Sequence, residues 1–300
     1  MRIDLSIIIV NYNTYNYIRQ CVGSIYESNK ILKNTEIIVI DNASSDNSVN
    51  LLKQEFHSLI VIANSQNIGF SAANNIGIRR ASGKFILLLN PDSLVKKNTL
   101  ETILKFMTQN PDVGVSTCRV ELPTGQLDDA CHRGFPTPWN SFCEFTGISS
   151  IFPKSVLFNG YHLGYRNLDQ VHQIDSCAGA FMFVNRNALD QVGCLDEDYF
   201  WYGEDLDLCY RLKLAGWKII FFPSTSVIHY KGVSSGIKKN SVDISTATDS
   251  IKLSSTISRF EVMRTFYKKH YLKKYPKLIY HLVMLGIRFK EYLSITSIKK

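Results

Sequence analysis

The sequence predicts an α/β protein in which a doubly wound, mixed but mostly parallel sheet is followed by a C-terminal helical appendage. The first observation is a series of strand-like apolar runs that alternate with segments of helical character. The runs lie at 5–10, 36–40, 59–63 and 85–89, and the helical segments at 15–29, 46–56, 71–81 and 97–109. Continuous β-branched runs separated by helices are typical of a parallel sheet with helices on both faces.

The second observation is that each of these runs ends in a polar cluster. The clusters are NYN after the first run, DNASSD after the second, NSQNIGF after the third and NPDS after the fourth. Ligands of doubly wound sheets bind beyond the carboxyl ends of the strands, so the clusters predict a polar cleft. No G-x-G-x-x-G follows the first run and no P-loop lysine motif is present, which argues against a Rossmann site and a P-loop nucleotide site.

The fourth cluster ends a buried strand in Asn90, Pro91 and Asp92, within KFILLLNPDSL. Taken alone, a Pro-Asp pair is typical of a turn. Four successive strand ends that carry Asn or Asp favour a functional cleft instead. We therefore interpret the proline as bracing a strand end that points Asp92 into that cleft.

Residues 117–172 have poor periodicity and dense turn signals. We interpret them either as an excursion over the mouth of the cleft that contacts a second substrate or as an ordinary surface insertion. The stretch 178–189 then predicts a small-residue turn followed by a strand.

Six acids lie within 196–207, at the start of a predicted helix that ends near Gly216. Glu204, Asp205 and Asp207 occupy its first turn. Acids in a first turn also complement the helix macrodipole, so these three residues have a structural interpretation as well as a catalytic one.

The predicted organisation is a catalytic domain at 1–236, a Ser/Thr/Asn/Lys-rich flexible linker at 237–256 and a basic helical segment at 257–300. The net charge is +8, while residues 252–300 hold 12 Lys and Arg against 2 acids, which leaves the rest of the chain at −2. A basic helix that carries aromatic residues indicates a contact with an anionic membrane surface. The alternatives are a solvated helical pair packed on the body, or a contact with a second subunit of a homo-oligomer.

A nucleic-acid partner is disfavoured because the body is slightly acidic and the tail carries none of the usual recognition motifs. The seven cysteines are scattered, odd in number and without a C-x-x-C pair, which argues against a disulfide framework or a zinc site and favours a reducing compartment. No apolar run has the length of a signal peptide or a spanning helix. We therefore expect a cytoplasmic protein, held peripherally on the inner face of the cell membrane.

Six ordered stretches carry a resemblance to a known family. They are SIIIVNYN, IIVIDNASSDNS, NIGFSAANNIGIRRASGKFILLLNPDS, CAGAFMFVNRNAL, GCLDEDYFWYGEDLDLCYRLKLAGWKI and VIHYKGVSS. Together, over residues 4–236, they resemble inverting family-two glycosyltransferases of the GT-A fold, and within them the bacterial rhamnosyltransferase-like branch. This resemblance implies a nucleotide-sugar donor, a glycan or lipid-linked glycan acceptor and a divalent metal, Mg²⁺ or Mn²⁺.

The resemblance implies that Asp92 and His229 form the metal or diphosphate site. The usual Asp-x-Asp motif has Asn90 in place of its first acid here, as in the rhamnosyltransferase-like branch. Carboxylate ligands on a hard cation suit the neutralisation of a departing diphosphate.

The resemblance also implies a set of residues that hold the nucleotide-sugar. These are Asn11, Asn13, Asp41, Asn67, Gly69, Asn75, Asn90 and Lys231, with Ser234 and Ser235 in a loop that closes over the donor. Gly69 is expected to let the backbone approach the nucleotide without a Cβ.

Inversion needs one carboxylate as general base. By resemblance this role falls on Asp205, with Glu204 as the alternative and Asp207 orienting the helix. Adjacent like charges are expected to raise the pKa of at least one member of the pair. Trp217 and Trp201 are either flat surfaces for acceptor sugar rings or parts of the core.

The expected function is metal-dependent, inverting transfer of L-rhamnose from dTDP-rhamnose to a growing cell-surface polysaccharide or lipid-linked glycan. One alternative is a transferase that uses a UDP-sugar. A second is a non-catalytic nucleotide-sugar-binding protein, which the joint presence of Asp205, Asp92 and His229 disfavours.

Overall fold

The computed structural model describes residues 3–28, 34–231 and 249–298. Ser234, Ser235 and residues 237–248 of the predicted linker lie outside the described residues. The predicted α/β class, with a mixed sheet and a C-terminal helical segment, is confirmed.

The first half of the chain forms the predicted alternation of strands and helices. The strands are β1 (Leu5–Asn11), β2 (Thr35–Asp41), β3 (Ile60–Ala63), β4 (Phe85–Leu89) and β5 (Ser93–Val95). The helices are α1 (Tyr15–Glu27), α2 (Ser48–Glu55), α3 (Phe70–Arg80) and α4 (Thr99–Gln109). β1 pairs in parallel with β2 and β4, and β2 pairs in parallel with β3. Every residue of β1 is buried, as its continuous apolar run predicts.

The second half completes the sheet with strands of both directions. The strands are β6 (Val113–Glu121), β7 (His172–Gln173), β8 (Phe181–Asn185) and β9 (Lys218–His229). The helices are α5 (Pro138–Thr146), α6 (Ile148–Ile151), α7 (Arg186–Val192), α8 (Glu204–Leu214), α9 (Asp249–Phe266) and α10 (Lys277–Ile298). Within the described residues the strand order is β3-β2-β1-β4-β8-β6-β9-β5, with β7 beside β9. β8 runs antiparallel to both β4 and β6, whereas β6 and β9 are parallel.

Residues 117–172 contain more regular structure than their weak periodicity predicts. A 3₁₀ turn spans Asp129–Cys131, and α5 and α6 follow it. Local capping explains α5, because Thr137 Oγ1 accepts a hydrogen bond from the Asn140 N–H and Pro138 occupies the first helical turn. Gly147, at φ +78°, ends α5 in the left-handed conformation.

The C-terminal segment packs on α8 and forms a small second core. Leu206 and Tyr210 of α8 are buried against Phe266, Tyr267 and Tyr271. The opposite side of α8 faces the main core through Leu208, Cys209 and Leu212. α9 begins at Asp249, so residues 249–256 of the predicted linker are helical. None of the helices in the described ranges is long and apolar enough to cross a bilayer.

Candidate active site

The carboxyl ends of β1 and β2 are joined by a hydrogen-bond network that runs from a buried Asn11–Asp41 bond to an exposed Asn13–Ser45 bond. Asn11 and Asp41 are direct register partners, and Asn11 Nδ2 donates to Asp41 Oδ1 at 2.7 Å. The second Asp41 oxygen accepts the Ser44 N–H at 2.9 Å. Asn13, at φ +54°, accepts the Ser45 N–H on its side-chain oxygen at 2.8 Å. The structure therefore brings Asn11, Asn13 and Asp41 together at one end of the sheet.

Asn42, directly after β2, connects this network to the next strand end. Its Nδ2 donates to Asn67 Oδ1 at 2.8 Å and to the Gly69 carbonyl at 3.2 Å. Asn67 Oδ1 also accepts the Gly69 N–H at 3.0 Å. Asn67 and Gly69 thus lie beside the end of β2, next to Asp41.

Phe200 packs so closely against the backbone of Gly69 that no side chain would fit there. The glycine has φ +87°, and a Cβ at this position would lie 2.7 Å from the Phe200 ring and 2.8 Å from the Phe200 carbonyl oxygen. The Phe70 N–H donates to the same carbonyl at 2.8 Å. Gly69 therefore anchors the segment that leads to Glu204 and Asp205.

Asp92 and His229 form a buried pair, although 137 positions separate them in the chain (229 − 92). Antiparallel pairing places Ser93 of β5 opposite His229 of β9. Asp92 Oδ1 lies 3.2 Å from His229 Nε2, and Asn90 Nδ2 lies 3.3 Å from the same nitrogen. Both Asp92 and His229 are at most 7 % exposed. The NPD motif therefore ends in a pair of potential metal ligands, with Asn90 beside it.

Asp128 supports this pair from behind and was not identified from the sequence. Its Oδ2 lies 3.0 Å from His229 Nδ1, and its other oxygen is ion-paired with Lys231. Burial alone would raise the pKa of Asp128, but the hydrogen bond from His229 and the charge of Lys231 hold it well below its ordinary value. Burial likewise lowers the pKa of His229, but Asp92 and Asp128 together raise it to about 9.

The geometry of this pair fits a six-coordinate divalent cation. Neighbouring ligand atoms around an ion with bonds of about 2.1 Å lie roughly 3 Å apart, close to the 3.2 Å between Asp92 Oδ1 and His229 Nε2. Histidine ligands commonly donate their other N–H to a carboxylate, which is the place that Asp128 occupies. No group of three or more His, Cys, Asp or Glu side chains suited to a metal occurs in the described ranges, so the protein would supply few of the ligands.

Asp205 lies in the first turn of α8 and pairs with a buried arginine. Arg133 Nη2 donates to Asp205 Oδ2 at 3.0 Å, and both side chains are largely buried. Two successive positive-φ residues, Tyr202 at +74° and Gly203 at +86°, turn the chain sharply into the helix. A Cβ on Gly203 would lie 2.2 Å from Val262 Cγ1, so α9 packs directly against this turn. Asp205 is therefore held by a salt bridge and by the packed entry to its helix.

Of the two adjacent acids Glu204 and Asp205, Glu204 is the one whose charged form is disfavoured. It is 5 % exposed, and its Oε2 has no hydrogen-bond partner among the residues that the structure describes. Burial, with the neighbouring charge of Asp205, raises the pKa of Glu204 from an ordinary 4.5 to about 8. The expectation that one of the two adjacent acids has a raised pKa is met at Glu204.

We predict that Glu204→Gln stabilises the protein increasingly as the pH rises. The folded state holds a proton on Glu204 that the unfolded chain releases near pH 4.5, so the wild type loses this contribution between about pH 4.5 and 8. Glutamine does not titrate, so the free energy of unfolding of the variant, relative to wild type, should rise by up to about 1.4 kcal/mol per pH unit. Urea denaturation across this pH range measures it.

The matched control for this prediction is Glu101→Gln, which changes an exposed glutamate in the first turn of α4. Its stability relative to wild type should change little over the same pH range. A Glu204→Gln difference as flat as that of the control would contradict the prediction.

Asp207 connects α8 to the C-terminal segment. Its Oδ2 accepts Arg211 Nε at 2.7 Å, and its Oδ1 lies 2.7 Å from His270 Nε2. Burial alone would raise the pKa of Asp207, but the hydrogen bond from His270 and the charge of Arg211 lower it. Asp207 is therefore engaged in holding the helix and the C-terminal segment together.

The backbone of Gly179 and Ala180 lies between the end of β4, which leads to Asp92, and the start of α8. The Ala180 carbonyl accepts the Asn90 N–H at 3.3 Å and Ser93 Oγ at 3.2 Å. A Cβ on the preceding residue, Gly179, would lie 3.8 Å from Glu204 Oε1. The two groups of candidate residues therefore flank the same strand entry.

A cleft of about 890 Å³ opens beside Asp128 and Lys231. Its other walls come from residues 122–132, from Tyr230 and from the segment 149–168, including His132, His162 and Arg166. Burial and the neighbouring His172, whose Nε2 lies 2.7 Å from His132 Nε2, lower the pKa of His132 to about 4. Residues 117–172 thus form most of the wall of a cleft beside the Asp128–His229 contact, lined by both polar and apolar side chains.

Three predicted site residues make other contacts. Asn75 is buried and donates to the Leu195 carbonyl and to Glu197, each at 2.8 Å. Trp217 precedes β9 and donates to Gln191, so it lies at the opposite end of that strand from His229. The Trp201 ring stacks on the Tyr202 ring, with the ring centres 5.5 Å apart. The structure does not bring Trp217 together with the other candidates, because the start and the end of one strand lie at opposite edges of a sheet.

Comparison with known proteins shows which family the chain belongs to. Residues 6–193, more than half of the chain, match the family described as Glycosyl transferase family 2. The chain belongs to glycosyl transferase family 2. Rhamnosyltransferase WbbL of Escherichia coli K12 is 31 % identical over 235 residues, which are 75 % of this chain and 82 % of that protein. The chain is therefore a glycosyltransferase of the rhamnosyltransferase-like type, and a hexosyltransferase.

Two further comparisons support the family assignment and the fold. The N-acetylglucosaminyl-diphospho-decaprenol L-rhamnosyltransferase of Mycobacterium tuberculosis H37Rv is 23 % identical over 243 residues, covering 77 % of this chain and 78 % of that protein. A mannosyltransferase from Pyrobaculum calidifontis, solved with GDP-Man and Mn²⁺, superposes with a TM-score of 0.60 at 16 % identity. That superposition covers 100 % of this chain and 74 % of the other, and it shows the GT-A fold.

Asp128 and Arg133 contact candidate site residues of this glycosyltransferase, and neither was predicted from the sequence. Both lie in the stretch LDDACHR within residues 117–172. The sequence feature that could have indicated them is a cluster of two acids, a histidine and an arginine in an otherwise turn-rich segment. Nothing in the stretch indicated that the acid would contact His229 and the arginine Asp205.

Proposed function

We propose that this glycosyltransferase carries out the metal-dependent, inverting transfer of L-rhamnose from dTDP-rhamnose to a lipid-linked glycan or growing cell-surface polysaccharide. The observation that carries the proposal is the arrangement of two groups on either side of Gly179 and Ala180. On one side is the start of α8, where Glu204 Oε1 lies near Gly179 and the next residue, Asp205, is bound by Arg133. On the other is the strand end whose Asn90 N–H donates to the Ala180 carbonyl and which carries the Asp92–His229 pair.

In the proposed step, Asp205 is the general base. An acceptor hydroxyl oxygen forms the new bond to the anomeric carbon while its proton passes to the Asp205 carboxylate. The bond from that carbon to the diphosphate oxygen breaks, and its electron pair leaves with the nucleoside diphosphate. Attack from the face opposite the leaving group inverts the anomeric centre. Arg133 fixes one carboxylate oxygen and so orients the base.

Asp92 and His229 would hold Mg²⁺ or Mn²⁺, and the bound cation would neutralise charge that develops on the departing diphosphate. Asp128 fixes the His229 ring through Nδ1, which leaves Nε2 directed at Asp92. Lys231 contributes a positive charge beside the same site. Asn90 adds an amide that can bind a ribose hydroxyl or a metal-bound water.

We assign the nucleotide to the ends of β1 to β3. Asp41 and Asn11 supply a hydrogen-bonding edge for the pyrimidine base, and Asn13 and Asn67 line the ribose side. Gly69 and Asn75 act on this site through the backbone segments that they hold near Phe200 and Leu195. The rhamnosyl group rests on similarity to the two rhamnosyltransferases, and the thymidine nucleotide rests on the resemblance of the motifs to the rhamnosyltransferase-like branch.

We assign the acceptor to the cleft beside Asp128 and Lys231. Its volume admits several sugar units, and His132, His162 and Arg166 offer polar contacts. The name of the mycobacterial relative describes an acceptor joined by a diphosphate to a polyprenol, and we propose an acceptor of that class. The enzyme would then work at the cytoplasmic face of the membrane, where the basic C-terminal segment meets anionic lipid.

Isothermal titration calorimetry tests the donor assignment. The full chain is titrated with dTDP-rhamnose, UDP-glucose, UDP-galactose and GDP-mannose, each with Mn²⁺ and with EDTA. We expect dTDP-rhamnose to bind at least about tenfold more tightly than the others, and only with the metal. Preference for a UDP-sugar would overturn the rhamnose assignment, and absence of binding would favour a non-catalytic protein. The anomeric configuration of the product, measured by NMR, tests inversion.

A further inference from the structure

Helix α5 presents a row of large apolar side chains to solvent. Trp139, Phe142 and Phe145 are each 44 to 50 % exposed. Their spacing of three residues places them on one side of the helix. Trp139 and Phe142 stack with their ring centres 5.7 Å apart. An exposed aromatic row of this kind is unusual on a protein that is surrounded by water alone.

The chain that follows α5 continues this apolar surface. Ile151, Phe152, Val156 and Leu157 are 50 to 69 % exposed. Trp139 Nε1 donates to the Leu157 carbonyl at 2.8 Å, so this segment is fastened to α5. Its apolar side chains therefore lie beside the aromatic row.

Helix α10 adds a third strip. Leu278, Leu282, Leu285 and Phe289, spaced by four, three and four residues, lie on one side of the helix and are 53 to 71 % exposed. The protein-facing side of α10 is also apolar, because its side chains pack on the second core around Tyr267. A helix that is apolar on two sides needs cover on both. The described residues leave more than half of each side chain on the Leu282 side exposed.

The strips on α5 and α10 adjoin each other. The two helices are in contact, and Lys290 Nζ lies 5.8 Å above the Phe145 ring. We call the outward side chains of α5, residues 151–157 and α10, as named above, the apolar face. It exceeds the scattered exposed apolar residues of an ordinary soluble surface.

The charges around the apolar face indicate which kind of partner it binds. Residues 252–300 carry 12 Lys and Arg against 2 acids, and one of those acids, Glu291, is already paired with Arg264. Lys273, Lys277 and Arg288 on or next to α10 have no carboxylate partner among the described residues, and Lys154 is exposed between Phe152 and Val156. Apolar side chains bordered by unpaired cations complement an anionic bilayer. Two copies of the face would oppose like charges.

We propose that the apolar face inserts into the interfacial region of an anionic membrane, so that α5, residues 151–157 and α10 lie in the headgroup layer. This inference rests on the proposed function and deepens it by naming the contact surface.

The apolar face and the cleft share one segment of the chain, residues 149–153. Ser149, Ser150 and Pro153 form part of the cleft wall, and Ile151 and Phe152 on the same segment belong to the apolar face. A lipid-linked acceptor whose lipid stays in the bilayer would therefore present its sugars next to the cleft. The insertion between β6 and β7 thus serves both the membrane contact and the acceptor site.

Vesicle flotation of the full chain tests the proposal. The probes are vesicles of phosphatidylcholine alone and vesicles with about one third phosphatidylglycerol. We expect binding to the anionic vesicles, with a shift of Trp139 fluorescence to shorter wavelength that Trp139→Phe removes. The double variant Phe152→Glu with Leu285→Glu should bind at least about tenfold more weakly. Replacing Lys273, Lys277 and Arg288 by Gln should weaken binding to anionic vesicles roughly fivefold per charge.

Leu214→Glu is the matched control, because Leu214 is 70 % exposed on α8, outside the apolar face. It should bind vesicles like the wild type. A wild type that does not bind anionic vesicles would overturn the proposal, as would a stable dimer by light scattering that the Leu285→Glu change dissociates. Donor titration separates the two proposals. If the protein binds dTDP-rhamnose but not vesicles, only the proposed membrane contact is overturned. If it binds anionic vesicles but not dTDP-rhamnose, only the proposed donor is overturned.

Discussion

Asp205→Asn is expected to lower kcat by about 10²–10⁴-fold, the range that loss of a general base produces. Asparagine has nearly the same shape, and its side-chain oxygen can still accept from the Leu206 N–H, which lies 2.7 Å from Asp205 Oδ1. It cannot take the proton of the acceptor hydroxyl. The affinity for dTDP-rhamnose should therefore stay within about twofold of the wild type. Steady-state kinetics and donor titration measure the two quantities separately.

Asp198→Asn is the control for this prediction. Asp198 is an exposed carboxylate six residues upstream (204 − 198) of α8, ion-paired with Lys269. Its replacement should leave kcat unchanged. Equal losses of turnover and donor affinity in Asp205→Asn would contradict the assignment of this residue as the base. An active Asp205→Asn together with an inactive Glu204→Gln would transfer the role to Glu204.

Asp128→Asn is expected to weaken Mn²⁺-dependent binding of the donor by about 10–100-fold, the usual effect of removing a carboxylate that orients a metal-ligating histidine. The substitution removes the negative charge that lies 3.0 Å from His229 Nδ1 and releases Lys231 from its ion pair. Asp92→Ala, which removes a proposed ligand outright, should abolish the metal-dependent part of binding. Calorimetric titration with Mn²⁺ and with EDTA measures both variants.

Asp129→Asn provides a control at the neighbouring position, because the side chain of Asp129 is exposed. It should bind the donor like the wild type. If Asp128→Asn binds like Asp129→Asn, Asp128 has no part in positioning His229. If Asp92→Ala keeps the full response to Mn²⁺, Asp92 does not hold the metal. Thermal denaturation of each variant distinguishes these outcomes from loss of the fold.

The parallel half of the fold was predictable because its signals are local. The run at 85–89 became β4 with the same bounds, and the predicted helix at 71–81 became α3 at Phe70–Arg80. Consecutive strands of a doubly wound sheet lie near one another, so their carboxyl ends meet at one edge. The pairing of Asn11 with Asp41 follows from that topology.

The excursion was less predictable because its structure depends on caps and on tertiary contacts. α5 is a short helix whose ends are set by Thr137 and Gly147, and its row of exposed aromatics obscures the usual polar outer side. The start of α9 at Asp249 was missed for a related reason. A polar Ser/Thr-rich sequence indicates a linker unless packing holds it in a helix, and here Ser255 and Thr256 are buried.

The sequence by itself determined the α/β class, the strand ends that bear polar residues and, through ordered motifs, the glycosyltransferase family. Periodicity and turn chemistry act between near neighbours, so a single chain displays them directly. Only the tertiary structure decided which charges meet. Asp128 reaches His229 across 101 positions and Arg133 reaches Asp205 across 72. Buried charges need partners, but the sequence does not name them, because any of several acids satisfies a histidine or an arginine until the fold brings one within bonding distance.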